Sequence, residues 1–255
     1  MQAGAGRGGK QVIPRPPGVR AGGGPPWASA DPRLLRGITL ERVRLGLPYE
    51  DRPDGEGPYG EVPYSGATAE GHVVPTTGAP SAVLVALFEE DGEARVVLTR
   101  RSARLRRHRG EVSFPGGRQD DGESPVAAAL REASEEVGMD AASVEVLGTL
   151  SPLSTFSSGS FITPVVGVLP GRPLLVANPA EVERVFDVAL AELLAAGVFR
   201  EEMWTLRGAS ADAPGVAVPG GFPVWFFELR GDTVWGATAR VLVELLSLVV
   251  GGTRT

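Results

Sequence analysis

Residues 124–138 specify a helix at both ends and along its length, and they constrain the fold more than any other stretch. Ser124 can cap a free backbone N–H, and Pro125 at the first helical position gives up a donor that had no partner there. Gly138 offers a left-handed stop. Val126, Leu130, Ala133 and Val137 recur at helical spacing and make one apolar stripe that needs a core to pack against. At about 100° per residue, Glu132, Glu135 and Glu136 should project largely from the other side. Carboxylates at i, i+3 and i+4 repel one another by roughly 0.2–0.5 kcal/mol per pair, and Arg131, four residues before Glu135 in the weaker orientation, is the one offset. An acidic helix face is ordinarily just solvated. A bound cation would reverse the repulsion here, and hard Mg²⁺ or Mn²⁺ prefers oxygen ligands.

The stripe finds its partners in β-type runs. Residues 82–88 form an apolar run, Asp91-Gly92 supplies a turn, and residues 95–99 return, which predicts a hairpin. Further strands are expected at 144–150, 161–169 and 224–229, and helices at 188–196 and 237–249. Strands interspersed with helices give an α/β class. Upstream, residues 1–30 are rich in Gly, Pro and Ala with few large apolar groups, and are expected to be a disordered leader. Residues 31–80 read as an irregular extension with a short helix on Leu34, Leu35, Ile38, Leu40 and Val43, and residues 81–250 as the folded domain.

Composition removes several chemistries. The chain has no cysteine and only His72 and His108, so thiolate nucleophiles, thiolate zinc sites and histidine triads are excluded or poorly supplied, and catalysis must rest on carboxylates. A net charge of -6 gives no overall basic field for nucleic acid. The longest apolar tract, at 241–250, is too short to span a bilayer and is interrupted by Glu244; with no signal-like start, a cytoplasmic protein without membrane or nucleic-acid partners is expected. Oligomeric state is left open. Lys10 is the sole lysine, so arginine clusters carry less information than usual.

The surroundings of the helix add a second signal. Gly117, Glu123, Arg131-Glu132, Glu135-Glu136 and Gly138 stand at spacings that would arise by chance on the order of once in a hundred thousand chains of this composition. The pattern resembles the Nudix box, with Ala133 and Met139 where bulkier aliphatics are usual. The resemblance implies an α/β/α sandwich around a mixed β-sheet. It also implies Mg²⁺ or Mn²⁺ as cofactor, held by Glu132, Glu136, Glu135 and the carbonyl of Gly116, with Glu123 and Arg131 pairing to tie the loop to the helix. The general base in such proteins often lies outside the box; Glu181 and Glu183 are the candidates, against a bland reading as solvated acids.

Residues 97–117, with Leu98-Thr99-Arg100-Arg101-Ser102, Arg106, Gly110 and Phe114-Pro115-Gly116-Gly117, resemble the coenzyme A pyrophosphatase branch of the same family. So do Asn178-Pro179-Ala180-Glu181-Val182 and residues 232–239, although Ala189 stands where that branch often has proline. By this resemblance the substrate is coenzyme A or a derivative, cut to 3′,5′-ADP and 4′-phosphopantetheine, with Arg101 and Arg106 as phosphate contacts. His108 is open between a phosphate contact and a loop cap, and Trp235 reads more as packing than as pocket lining. Two rivals stand beside it: a broader pyrophosphatase acting on ADP-ribose or dinucleotides, and a non-catalytic nucleotide sensor on the same fold.

Overall fold

The computed structural model describes residues 7–9, 11–47, 79–105, 108–155, 160–205 and 221–251. In chain order the elements are β1 (Gly8–Gly9), β2 (Arg20–Ala21), a 3-10 turn (Pro32–Leu35), α1 (Leu40–Gly46), β3 (Pro80–Glu90), β4 (Glu93–Arg101), β5 (Val112–Ser113) and β6 (Gly116–Arg118). There follow α2 (Pro125–Val137), a second 3-10 turn (Ala141–Ser143), β7 (Glu145–Thr149), β8 (Leu153–Ser154), β9 (Phe161–Val168) and β10 (Val182–Ala189). The described chain closes with α3 (Leu190–Leu193), β11 (Phe199–Trp204), β12 (Phe222–Glu228), β13 (Arg230–Gly231), β14 (Thr233–Trp235) and α4 (Gly236–Val249).

The main sheet is mixed, with order β10-β4-β3-β9-β7, and the short strands β5, β6 and β8 pair with β4, β3 and β9. β3 runs parallel to β9 and antiparallel to β4 and β6. Alternation along β3 explains why both faces are covered, since successive side chains of a strand point to opposite sides. Ala82, Leu84, Ala86 and Phe88 meet Ala128, Ala129, Ala133 and Val137 of α2 in one core. Val85 and Leu87 enter the other core with Leu242, Leu245 and Leu246 of α4 and Val43 of α1. The result is an α/β/α sandwich, with α2 on one face and α1 and α4 on the other. No helix among the described residues is long and apolar enough to cross a membrane.

Helix α2 takes the expected form: the Ser124 side chain accepts from Ala127 N, and Gly138 closes it in the left-handed region at φ 65°. Its last turn contains Glu135 and Glu136 and no basic residue.

The N-terminal third needs correcting. Over the residues described, 1–30 is no disordered leader: β2 pairs with β11, β1 pairs with β13, and Trp27 is 2% exposed in the larger core. Trp27 stacks on Phe227 at 6.2 Å and meets Phe199 edge-on at 5.4 Å. The amide of Gln11 donates to Thr233 O at 3.1 Å and accepts from Thr233 N at 3.0 Å, so it copies a strand neighbour. These few anchors offset the entropy that the Gly/Pro composition implied: β2, Gln11 and Trp27 land on the second sheet, β14-β12-β11-β2, and β1 on the adjoining β13. Ile38 and Val43 are fully buried, which ties the short helix expected at 31–46 into the same body. Most of the irregular extension, 48–78, lies outside the described residues, as does His72.

The helix expected at 188–196 is corrected too. β10 continues to Ala189, paired residue for residue with β4 from Arg184 onward, and α3 lasts only from Leu190 to Leu193. The spacing of Val188, Leu190, Leu193 and Leu194 looked helical, but the strand partner across the sheet claims the first of these.

Candidate active site

The site is built where α2 passes over β6. Gly116 lies at φ 154°, and a Cβ there would come within 2.4 Å of the Ala82 carbonyl, so only glycine lets this strand approach β3 so closely. At Gly117 a Cβ would stand 2.4 Å from the Glu132 carboxyl carbon. The Gly116 N–H donates to Glu136 Oε2 at 3.1 Å. Two carboxylates from adjacent turns of α2 thus rest against one bare Gly-Gly backbone.

Here the helical-wheel expectation for the glutamates is corrected. Glu135 is exposed and Glu132 is half-buried, but Glu136 is 2% exposed, walled in by β6. Burial pushes the Glu136 carboxyl up to about 7; the Gly116 N–H and the charge of Arg101 pull the other way, and Glu181 and Glu132 add to the rise. Glu132 is raised as well, by burial first, against the pull of Arg131 and with Glu135 and Glu181 reinforcing it. Both groups therefore sit where their surroundings under-compensate a negative charge.

Arg131 organises the open side. It donates to Glu123 Oε1 and Oε2 at 2.9 Å each, to Glu132 Oε1 at 3.1 Å, to Glu135 Oε2 at 3.4 Å and to Arg118 O at 2.9 Å. This fork fastens the 118–123 loop to α2, and it holds the Glu123 carboxyl below the usual carboxylate range.

The candidates outside the box separate clearly. The chain turns at Asn178, whose N–H donates to Glu136 O at 2.8 Å, and the Ser102 N–H donates to Glu181 O at 2.7 Å. Glu181 is thereby set between the end of β4 and the end of α2, where its charge reaches both Glu132 and Glu136. Glu183 goes elsewhere: the register between β10 and β4 slips from Val182↔Arg101 to Arg184↔Arg100, leaving Glu183 as the bulged residue. Its carboxylate stands 3.6 Å from Arg100, beside a buried Asp232 that also faces Arg100 and Arg184.

Among the expected phosphate contacts, Arg101 Nη1 lies 3.6 Å from Glu136 Oε1, against the metal-type carboxylate. His108, in the left-handed region at φ 55°, places Nδ1 2.9 Å from Glu111 Oε2. Arg106 lies outside the described residues. Trp235 packs on Phe226 and Trp204 in a third apolar cluster. Sequence reasoning named Asn178 and Arg101 but missed that both meet Glu136, the first at its main-chain oxygen and the second at its carboxylate.

The donor set fits a hard divalent cation in part. Glu132 and Glu136 offer carboxylate oxygens over a main-chain floor that a single Cβ would fill. Among the described residues, however, no three His, Cys, Asp or Glu side chains gather round one point. A cation here would rest on that pair, with a main-chain oxygen and water completing its shell.

Comparison with known proteins agrees with this reading. The NUDIX domain family model matches residues 78–204. The uncharacterized Nudix hydrolase NudL of Photorhabdus laumondii is 40% identical over 155 residues, which covers 60% of this chain and 76% of that protein. The protein of the same name from Escherichia coli is 38% identical over 166 residues, covering 65% and 80%. Nudix hydrolase 3 of Caenorhabditis elegans is 37% identical over 173 residues, covering 66% and 72%. With the box residues assembled around β6 and relatives of this similarity along most of their own length, the chain belongs to the Nudix hydrolase family.

Proposed function

We propose that the protein hydrolyses the pyrophosphate bond of coenzyme A or one of its derivatives, releasing 3′,5′-ADP and 4′-phosphopantetheine, with Mg²⁺ or Mn²⁺ bound at Glu132 and Glu136. The observation that carries this reading is the convergence of those two under-compensated carboxylates on the Gly116-Gly117 backbone. When bound, the cation supplies charge neutralisation for the diphosphate oxygens and lowers the pKa of a water. The chain's own residues do the rest. Glu136 and Glu132 fix where positive charge is held, and Gly116 orients the Glu136 carboxylate through its N–H. Arg131 keeps the loop and Glu132 in register, and the exposed Glu135 would hold a second ion through water.

Glu181 takes the proton from the attacking water. Its place opposite Glu132 and Glu136 favours it over Glu183, which the bulge turns to Arg100. The coenzyme A assignment is supported by the 97–117 and 178–182 segments of the sequence and by a cation, Arg101, at the edge of the carboxylate pair. Retention of Glu123, Glu132, Glu135 and Glu136 together favours turnover over a sensor role.

The test is product analysis on coenzyme A, dephospho-coenzyme A, ADP-ribose and NADH with either metal. Preference for coenzyme A over its dephospho form is expected. Equal rates on both would move the assignment to the broader pyrophosphatase, and no cleavage of any, with metal bound, to the sensor.

A further inference from the structure

We infer that Arg101 is an internal counter-ion that holds Glu136 in the metal-free protein, competes with the cation for it, and is released towards substrate phosphate when the cation binds. The inference rests on Glu136 being a metal ligand, as proposed above.

Both carboxylate oxygens of Glu136 already face a partner: Oε2 receives the Gly116 N–H at 3.1 Å, and Oε1 faces Arg101 Nη1 at 3.6 Å. At 2% exposure Glu136 has little water to compensate it, and the fixed positive group that faces its Oε1 is Arg101. Arg101 is suited to that duty because it is the last residue of β4, opposed to Val182 of β10, and its position is set by the sheet.

The hold is nevertheless loose. A separation of 3.6 Å is beyond hydrogen-bond range, and the buried Nε of Arg101 has no hydrogen-bond partner. Arg131 shows the contrast, with two direct bonds to Glu123 at 2.9 Å. Arg101 therefore compensates Glu136 by charge without being locked to it. A divalent ion arriving at Oε1 would meet a like charge at close range, and the guanidinium has to yield. It has somewhere to go, since its side chain is 27% exposed. The cation thus sets free, at the rim of the same site, a planar donor group matched to phosphate. The order follows from the charges: metal first, then diphosphate.

The experiment measures Mn²⁺ affinity without substrate, by calorimetry or by the EPR signal of free ion, for wild type, Arg101→Gln, Arg101→Lys and Glu136→Gln. Arg101→Gln is expected to bind Mn²⁺ roughly tenfold more tightly than wild type, while its KM for substrate rises. Arg101→Lys keeps the competing charge and should stay near wild-type metal affinity. The metal-free Arg101→Gln protein should melt lower than wild type and gain more from added Mn²⁺; a variant that refolds only with Mn²⁺ would be the extreme of the same result. Unchanged or weaker Mn²⁺ binding by Arg101→Gln overturns the competition while leaving the metal site intact. Equal Mn²⁺ binding by wild type and Glu136→Gln overturns the metal assignment itself, and the competition with it.

Discussion

The loop-helix unit at 116–138 and the N-terminal segment at 11–47 are opposite ways of becoming ordered. The first is written locally: a cap, a proline, a stripe and a glycine stop fix α2 before any tertiary contact is considered. The second carries a local signal only for its short helix around Ile38 and Val43, and the rest of its order comes from a few anchors, among them Gln11 and Trp27, that land on distant strands. The difference teaches a division of labour. The locally coded unit spends its residues on charge that the fold would be steadier without, and the distantly anchored segment supplies burial and nothing of the site.

That division can be broken by experiment. Trp27→Ala should cost about 3–5 kcal/mol of stability, the scale of emptying a large aromatic site, yet leave turnover per folded molecule unchanged; urea melts beside active-site titration will show it, and a matching fall in kcat would end the partition. Glu136→Gln should do the reverse, losing roughly 10²–10³-fold in kcat/KM with a melting temperature no lower than wild type, since the amide oxygen can still accept from Gly116. Gly117→Ala sharpens the site side: its methyl would displace the Glu132 carboxylate, and a loss on the order of 10²-fold is expected with the fold retained by circular dichroism.

Smaller effects compare the two helix caps. Ser124→Ala and Thr39→Ala each remove a side-chain acceptor, from Ala127 N and Arg42 N, and each should cost about 1 kcal/mol in denaturant melts. Only the former should also touch activity. Smallest of all is the surface pair of Arg44 in α1 with Glu145 in β7. Arg44 holds the Glu145 carboxyl below its ordinary value, so whatever the pair contributes is present above the unfolded-state pKa and is lost as pH falls through the lowered folded one. Glu145→Gln should therefore cost at most about 1 kcal/mol at neutral pH, less in high salt, and nothing in strong acid.

What could be read from the chain follows the same divide. α2, the β3–β4 hairpin and α4 were legible because periodicity and turn residues act within one element. The box residues were legible because their spacing is rigid. Glu136 was misplaced because a helical wheel assigns a face without knowing that β6 will form a second wall over it. Trp27 was passed over because one tryptophan in a Gly/Pro-rich stretch has no periodicity to announce it. The partition of Glu181 from Glu183 hangs on a single bulge against β4, and the Arg101–Glu136 approach on a strand end meeting a helix end. Neither leaves a trace in the neighbouring residues.

The last turn of α2 ends on two acids and no base, at the pole of the helix where the carbonyls already gather negative potential. Selection for thermal tolerance alone should then find its easiest gains there, by neutralising or reversing the exposed Glu135 and by neutralising the buried Glu136. The hardiest descendants of this protein would be the idle ones, and any engineering effort has to screen for turnover from its first round.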